Sequence, residues 1–352
     1  MRIAFFGSSL VSAYWNGAAT YYRGIVRGLH ERGHQVTFLE PDAYERQAHR
    51  DIEPPEWAQV VVYRPERWEA ALRRARGFDV VVKASGVGVA DAELEEGVLA
   101  LDAATTIFWD VDAPATLARL ESDPTDALRE LVPRYDLILS YGGGDPVVER
   151  YEALGARACI PVYNALDPET HHRGAPDGRF ACDLVFLGNR LPDRELRVEE
   201  FFLRAAELSP ERRFLLGGSG WDGHPLPPNI GLVGHVSTRD HNALNSSALA
   251  VLNVSRASMA ANGWSPATRV FEAAGAAACV ITDAWPGIEL FLEPGTEVLV
   301  AHDGAEVAAQ LASLTAERAR AIGEAACRRV CAAHTYAHRA AQVDEILSGV
   351  PA

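Results

Sequence analysis

Residues 263–291, GWSPATRVFEAAGAAACVITDAWPGIELF, contain the pattern that decides the fold of the chain. The pattern predicts a loop, a helix that opens at Ser265 and Pro266, a buried strand, an acidic turn and a second helix over 286–292. The small residues GAAA permit close packing, and CVIT has the β-branched, apolar composition of a buried strand. Open parallel sheets bind ligands where strand ends meet helix N-termini, so we expect a binding site at this loop.

Three charged side chains of this stretch have the chemistry to bind a nucleotide diphosphate. A helix N-terminus offers free N–H groups to phosphate, and Arg269 can add charge-assisted hydrogen bonds. Glu272, one turn along the same helix face, only accepts hydrogen bonds and suits a pair of ribose hydroxyls. The alternative is a simple ion pair within the helix. Asp283 closes the following strand, where it either contacts the ligand or caps the turn.

The rest of the chain alternates strand-like and helix-like segments in two series. The predicted strands cover 2–7, 35–40, 59–64, 79–85, 105–112, 136–142 and 156–163, then 183–189, 212–218, 229–236, 248–254, 278–283 and 297–302. Apolar strands separated by helices indicate parallel sheets that are covered on both faces. We therefore predict an α/β protein with two doubly wound Rossmann-like domains that face each other across a cleft.

A segment rich in Pro, Gly and Asp separates the two series. We assign an N-terminal Rossmann-like domain, a linker, a C-terminal Rossmann-like domain and a C-terminal helix to residues 1–165, 166–181, 182–333 and 334–352. His171 and His172 lie in the linker. We expect both to be exposed, because the neighbouring sequence supplies too few further ligands for a metal.

Composition and charge argue against several classes of function. The chain has 352 residues, of which 48% are hydrophobic, and its apolar runs are strand-sized, which predicts no integral membrane segment. The formal net charge of −15 argues against nucleic acid as a partner, because phosphate binding needs clustered Lys and Arg. Five cysteines without a CxxC pair predict a reducing, cytoplasmic location. The oligomeric state stays open.

The stretch from Asn253 to Val300, and less specifically nearly the whole chain, resembles the GT-B glycosyltransferases. The closest resemblance is to the CgeB-type group, named after a spore-maturation protein. In the retaining GT-B enzymes two glutamates are separated by seven residues. Glu272 matches the second, to which the resemblance assigns the nucleotide ribose, but Trp264 occupies the position of the first. The donor-sugar role of that glutamate does not carry over, and Trp264 either stacks on the sugar or base or anchors the loop.

The resemblance implies further donor contacts in the second domain and a C-terminal helix that can cross back to the first. Arg190, in FLGNR, is a diphosphate candidate, since an arginine at a helix start is otherwise unfavourable. Backbone groups near His235 and Val236 match the loop that holds the donor base. A catalytic role for His235 is the alternative to structural packing. Ser265 contributes to the helix N-terminus that would receive the diphosphate.

In the first domain, small residues follow two strands. Ser8, Asn16 and Gly17 belong to a loop that does not match GxGxxG and that either approaches the acceptor or the donor phosphates or is a tight turn. Gly143, in SYGGGDP, either exposes backbone N–H groups to an anion or forms a flexible turn.

The pair Asp110 and Asp112, in FWDVDAPAT, ends another strand of the first domain. Carboxylates at i and i+2 of a strand point the same way and repel each other, which favours a raised pKa for one of them. They are candidates for the base that removes the proton of an acceptor hydroxyl. The alternatives are a divalent-metal site, which GT-B enzymes generally do without, and capping of the next helix by Asp112.

These features predict an enzyme, a hexosyltransferase-like glycosyltransferase that works without metal and without a further cofactor. It would move a sugar from a nucleotide-diphosphate sugar, with UDP as the first choice, to a small-molecule acceptor. Two alternatives stay open: a nucleotide-sugar epimerase or hydrolase of the same fold, and a non-catalytic binding protein. The sugar, the acceptor and the stereochemical outcome do not follow from the sequence.

Overall fold

A computed structural model of the chain describes residues 1–101, 103 and 105–349. Its strands are β1 (Arg2–Phe6), β2 (Gln35–Pro41), β3 (Gln59–Tyr63), β4 (Val80–Ala84), β5 (Thr105–Asp110), β6 (Leu137–Ser140), β7 (Cys159–Pro161), β8 (Cys182–Leu187), β9 (Phe214–Gly217), β10 (Ile230–Gly234), β11 (Ala248–Asn253), β12 (Val280–Asp283) and β13 (Leu299–Ala301). Each predicted strand is present. Most of the strands are shorter than predicted, since residues at their predicted ends lie in loops.

The helices lie between these strands. They are α1 (Ala19–Glu31), α2 (Trp68–Arg74), α3 (Asp91–Leu99), α4 (Ala113–Ser122), α5 (Leu128–Leu131), α6 (Gly144–Ala153), α7 (Glu195–Val198), α8 (Arg204–Leu208), α9 (Thr238–Ser247), α10 (Ala257–Asn262), α11 (Thr268–Gly275), α12 (Gly304–Ser313), α13 (Ala316–Ala333) and α14 (Tyr336–Gly349). A π-helical stretch, Glu199–Leu203, joins α7 to α8. Within the described ranges, no helix has both the length and the apolar composition that crossing a membrane requires.

Two parallel sheets organise the described residues. The first has the strand order β3-β2-β1-β4-β5-β6-β7 and the second β10-β9-β8-β11-β12-β13. In each sheet the order reverses beside the first strand of its series, between β1 and β4 and between β8 and β11. Such a switch point leaves a crevice beyond the carboxyl ends of the two strands, where open α/β sheets bind ligands. The predicted α/β class with two doubly wound sheets is confirmed.

The chain divides into two compact units. One contains Met1–Tyr163 and the C-terminal segment from Tyr336, and the other is Asn164–Thr335. Each unit has its own apolar core, built from the buried side chains of the strands and of the helices that cover them. The last three residues of the predicted C-terminal segment, 350–352, lie outside the described residues.

Within the first unit, α14 packs directly against α1. Gly24 and Gly28 of α1 leave room for it, since a Cβ atom on Gly24 would lie 2.2 Å from the ring of Tyr336 and one on Gly28 would lie 2.6 Å from the Cβ of Ala340. Beyond the end of α1, Asp344 accepts a hydrogen bond from Arg32 at 3.0 Å. Small residues at both positions thus determine how closely the two helices approach.

The helix pattern of residues 263–291 differs from the prediction at two points. The first helix forms close to its predicted start, as Thr268–Gly275 with Ala267 as the N-cap residue, but Ser265 donates its hydroxyl to the Gly263 carbonyl and makes no capping bond. The predicted second helix over 286–292 is wrong. Only the 3₁₀ turn Ile288–Leu290 forms there, because Gly287 adopts a φ of +89°, which interrupts a right-handed helix.

Replacing Gly24 by alanine tests the packing of α14. In a helix interior this change normally stabilises by about 0.5–1 kcal/mol. We expect the opposite sign here, a loss of about 1–3 kcal/mol in the free energy of unfolding, because the added methyl overlaps the Tyr336 ring. Denaturant unfolding of both proteins measures the difference. Gly17→Ala, where a Cβ atom meets nothing within 4 Å, is the matched control. Equal or greater stability of Gly24→Ala would contradict the packing described.

Candidate functional site

In the second unit, most of the predicted donor-binding residues gather at one edge of the sheet. Because its strands are all parallel, their carboxyl ends share that edge. Arg190 follows β8, His235 and Val236 follow β10, Trp264 and Ser265 follow β11, and Asp283 ends β12. Arg269 and Glu272 lie on α11, which begins just beyond the β11 loop. The loops after β8 and β11 border the switch point of this sheet.

Glu272 and Arg269 are in contact on one face of α11. The Glu272 side chain is 9% exposed and that of Arg269 14% exposed, and Arg269 Nη1 lies 3.3 Å from Glu272 Oε2. The Thr268 hydroxyl also donates a hydrogen bond to the Glu272 carboxylate. A buried carboxylate with a cation and a donor beside it stays ionised, which keeps its oxygens available as acceptors.

The prediction that His171 is exposed is wrong. Its side chain is 2% exposed, and Nε2 lies 3.9 Å from Oε1 of Glu272. The ring stacks on that of His241 from α9, with centroids 5.8 Å apart and an interplanar angle of 29°. His172 is exposed, as predicted. Long-range packing of the linker against α9 and α11, which the local sequence does not encode, buries one neighbour and leaves the other in solvent.

Opposing effects set the protonation of this cluster. Burial by itself raises the pKa of the Glu272 carboxyl, but the charges of His171 and Arg269 outweigh it and bring that pKa down to about 2. Burial, with the Arg269 charge as the next contribution, lowers the pKa of His241 to about 4. At neutral pH, therefore, Glu272 is an anion and His241 a neutral imidazole.

In the described part of the chain, two groups of side chains have the spacing of metal ligands: His171, His241 and Glu272, and Glu195, Glu199 and His224. One ligand atom each from His171, His241 and Glu272 lie within 4.8 Å of one another. Imidazole and carboxylate are ligands that zinc accepts. However, the Arg269 guanidinium lies 3.3 Å from Glu272 Oε2, so a divalent ion would sit beside an existing positive charge.

Three arginines concentrate positive charge near the switch point. Burial lowers the pKa of the Arg194 guanidinium, the Asp193 charge opposes this change, and the charges of Arg256 and Arg269 lower the pKa further. Arg194 donates to the Asn189 carbonyl at 2.6 Å and leaves Nε buried without a hydrogen-bond partner. Asp193 pairs with Arg256 and Glu272 with Arg269, so part of this positive charge is already compensated, and Arg194 has the least compensation of the three.

Arg190 is more exposed than these three arginines. Its guanidinium is paired with Glu195 and its residue is exposed. That ion pair neutralises the charge proposed for a diphosphate, so Arg190 contributes to the basic region less directly than Arg194 does.

Asp283 organises the loop after β11. It is fully buried and accepts hydrogen bonds from the backbone N–H and the hydroxyl of Ser255, both at 3.1 Å. Arg197 adds a bond at 2.6 Å. Burial raises the pKa of Asp283, and the Arg197 bond opposes the rise. Asp283 therefore fixes the backbone that leads into Arg256 rather than presenting a free carboxylate.

Trp264 holds its own loop in place. Its backbone N–H donates to the Pro286 carbonyl at 2.7 Å, and its indole lies so close to Gly287 that a Cβ atom there would be 2.2 Å from the ring. Trp264 also has a φ of +47°, an uncommon conformation for a bulky residue. This is the loop-anchor arrangement, and the side chain remains half-buried.

The two residues predicted near the donor base are exposed to different degrees. His235 is exposed, whereas Val236 is buried. Nε2 of His241 lies 3.3 Å from the Val236 carbonyl, so the α9 histidine links this loop to the cluster around Glu272.

In the first unit, Ser8 and Asn16 lock the loop after β1. The Ser8 hydroxyl donates to Asn16 Oδ1 at 2.9 Å, and Asn16 Nδ2 donates to the carbonyls of Ser9 and Ser12. Ser8 and Asn16 are buried and Gly17 is exposed. The loop therefore has a fixed shape, and Gly17 is its accessible point.

Asp110 and Asp112 have unlike environments. Asp110 is fully buried and accepts hydrogen bonds from the hydroxyls of Ser85, Thr116 and Tyr151 and from the Asp112 N–H. Burial raises its pKa, and the hydrogen bonds oppose that rise. Asp112 is half-buried and is the N-cap residue of α4, without a capping bond from its side chain. Asp110 thus ties strand ends together, while Asp112 lies nearer to solvent.

Gly143 is the N-cap residue of α6 and has a φ of +96°. It is buried, and Gly144 follows with a φ of +51°. Both glycines adopt the left-handed backbone conformation that residues with a Cβ atom rarely adopt, so this turn requires glycine.

Four residues of the candidate site were not predicted from the sequence as functional: Arg194, Arg197, His171 and His241. The two arginines lie near the start of a predicted helix that follows a strand, where the argument made for Arg190 applies equally. His171 and His241 gave no local signal, because their significance arises only from contact with Glu272.

Comparison with known proteins places this geometry in context. Residues 194–345 match a family model described as glycosyl transferase-like. Similar solved structures include sucrose-phosphate synthase from Thermosynechococcus elongatus, with a TM-score of 0.72, 13% identity and coverage of 99% of this chain and 98% of that chain. Anabaena HepE in complex with UDP-glucose gives 0.69 and 13%, with 99% of both chains covered. The sequence matches none of the curated proteins compared with it.

A third similar structure bears on the predicted partners. It is an alpha-glucosyltransferase in complex with UDP and a 13-mer DNA, with a TM-score of 0.71, 12% identity and 99% of both chains covered. At these identities the likeness concerns the fold, and the predicted GT-B fold is confirmed. The CgeB-type group is not resolved by the family match, and the DNA complex gives no support to the predicted exclusion of nucleic acid.

The low pKa of His241 predicts a specific loss of stability in acid. The folded pKa of about 4 lies below the unfolded value of 6.5, so the unfolded chain binds the extra proton between these values. The His241 contribution is therefore complete above pH 6.5 and is lost as the pH falls toward 4, by up to about 1.4 kcal/mol per pH unit. Denaturant unfolding between pH 7 and 4 measures it. We expect the free energy of unfolding to fall less steeply with decreasing pH in His241→Gln than in the wild type, and as steeply as in the wild type in His172→Gln. Equal slopes in the wild type and His241→Gln would refute the assignment.

Proposed function

We propose that this chain is a glycosyltransferase that uses a nucleotide-diphosphate sugar, with UDP as the nucleotide, and that it belongs to the CgeB-type group. The observation that carries the proposal is the buried, ionised Glu272 beside Arg269 at the start of α11. Both residues lie within the stretch that matches the glycosyl transferase-like family. HepE and alpha-glucosyltransferase, which share the fold, were solved with UDP-glucose and UDP.

The diphosphate is assigned to the basic region at the switch point. Arg256 and Arg269 act electrostatically on Arg194, and a diphosphate there would relieve this repulsion. The N-terminus of α11, next to Ser265, adds backbone N–H groups and partial positive charge. Stabilising the departing diphosphate in this way lowers the barrier to breaking the bond to the sugar.

The nucleoside is assigned to the other side of the same helix. The Glu272 carboxylate accepts a hydrogen bond from a ribose hydroxyl, and the backbone around His235 and Val236 pairs with the edge of the base. Trp264, which replaces the first family glutamate, lies at the mouth of α11, where its half-buried ring can cover the sugar or the base. These roles follow from the resemblance and from the positions of the residues at the carboxyl edge of the sheet.

The acceptor is assigned to the first unit, where Ser8, Gly17 and Gly143 border the carboxyl ends of β1 and β6. We assign the base to Asp112 rather than Asp110. Asp110 is fully buried and accepts four hydrogen bonds, whereas Asp112 is half-buried and within reach of an acceptor. In an inverting reaction the Asp112 carboxylate would take the proton of the acceptor hydroxyl as that oxygen attacks the anomeric carbon and the nucleoside diphosphate leaves.

The proposed reaction runs without a metal, because the arginines supply the positive charge that a cation would otherwise provide to the leaving group. The proposed location is the cytoplasm, on the basis of the five unpaired cysteines.

Two substitutions in α11 test the donor site. Arg269→Ala and Glu272→Gln should each weaken UDP binding by about 1.5–3 kcal/mol, because each removes a charge-assisted contact. Titration calorimetry measures the affinity, and circular dichroism verifies that the variants fold. Arg320→Ala, which alters an exposed arginine of α13, should bind UDP like the wild type.

The outcomes separate the candidate functions. Wild-type affinity in both α11 variants would overturn the donor site. Release of free sugar from UDP-sugar at full rate without an acceptor would indicate a hydrolase, and binding without any turnover a non-catalytic protein. Loss of turnover in EDTA with recovery on adding manganese would contradict the metal-independent reaction.

A further inference from the structure

Behind the Glu272 carboxylate lies a histidine that the proposed transfer does not use. His171 comes from the segment that joins the two sheets, and its side chain is 2% exposed. Both of its ring nitrogens are buried without a hydrogen-bond partner. An imidazole with no bond at either nitrogen is costly to bury, so the position calls for a physical explanation.

The direction in which the ring points supplies that explanation. His171 Nε2 is 3.9 Å from Glu272 Oε1, while Arg269 Nη1 is 3.3 Å from Oε2. The first distance exceeds that of a hydrogen bond by less than 1 Å, so a small rotation of either side chain closes it. The two oxygens of the carboxylate would then be held from opposite sides.

His241 keeps His171 in this position. The two rings stack 5.8 Å apart. Burial and the Arg269 charge lower the pKa of His241 to about 4, so its ring is neutral at physiological pH and has a single N–H. Donation of that N–H from Nε2 to the Val236 carbonyl, 3.3 Å away, fixes the ring and connects it to the loop after β10.

We propose that His171 is a positioning residue for the nucleotide ribose. It hydrogen-bonds Glu272 Oε1 and fixes the carboxylate so that an oxygen meets the 2′-hydroxyl, which makes the site prefer a ribonucleotide over its 2′-deoxy counterpart. Each carboxylate oxygen accepts two hydrogen bonds, so His171, Arg269 and Thr268 together leave one acceptor position for the ribose. A site built to bond a hydroxyl rejects the analogue that lacks it. The inference rests on the proposed donor site.

The test compares UDP with 2′-deoxy-UDP by titration calorimetry. Wild type should bind UDP more tightly, and His171→Leu should weaken UDP binding about tenfold while changing 2′-deoxy-UDP binding less than about twofold. His171→Gln, whose amide can donate to Glu272, should keep most of the preference. His172→Leu, which changes the exposed neighbour, should behave as wild type. Should the leucine variant not fold, His171→Asn, whose shorter amide does not reach Glu272, takes its place.

Several results would overturn the proposal. Equal weakening of both nucleotides in His171→Leu would mean that His171 only supports the fold, and an unchanged preference would mean that it does not orient Glu272. Thermal stabilisation of the wild type by Zn²⁺ alone, absent in His171→Leu, would make the cluster a cation site instead. If the wild type binds neither nucleotide, the proposed donor site itself fails, whereas wild-type binding with a preference that survives in His171→Leu refutes only the role of His171.

Discussion

The buried negative charge of Glu272 is the constraint on which the arrangement of the second unit depends. A carboxylate out of water is unstable unless cations or donors surround it. Arg269 and Thr268 come from the same helix, but His171 comes from the linker and stacks on His241 of α9. Keeping Glu272 ionised therefore holds three separate segments together at the carboxyl edge of one sheet.

The loops around this edge are fixed by buried polar contacts of the same kind. Asp283 bonds the Ser255 backbone and Arg197, and Trp264 fills the space that Gly287 leaves open. Asp110 plays the corresponding part in the first unit, where four donors surround it. Asp283 and Asp110 thus hold the loops at the carboxyl edges of the two sheets through buried hydrogen bonds. More exposed residues nearby are then the ones that can contact ligands.

Local sequence patterns were sufficient to predict the fold, but they predicted only part of the candidate site. Alternating apolar strands and helices have a short-range cause, so the two sheets and the contact of Arg269 with Glu272 could be predicted. The burial of His171 could not, because it depends on a linker residue meeting α9 and α11, far away in sequence. The turn at Gly287 also escaped prediction, since only the ring of Trp264 against it reveals why glycine is needed there.

A crystal structure of the protein with UDP tests the central claim most directly. We predict that a ribose hydroxyl lies within hydrogen-bond distance of the Glu272 carboxylate and that the diphosphate contacts Arg269 at the start of α11. A nucleotide bound elsewhere, or a Glu272 carboxylate that faces only Arg269 and His171 while the ribose is held by other groups, would contradict it.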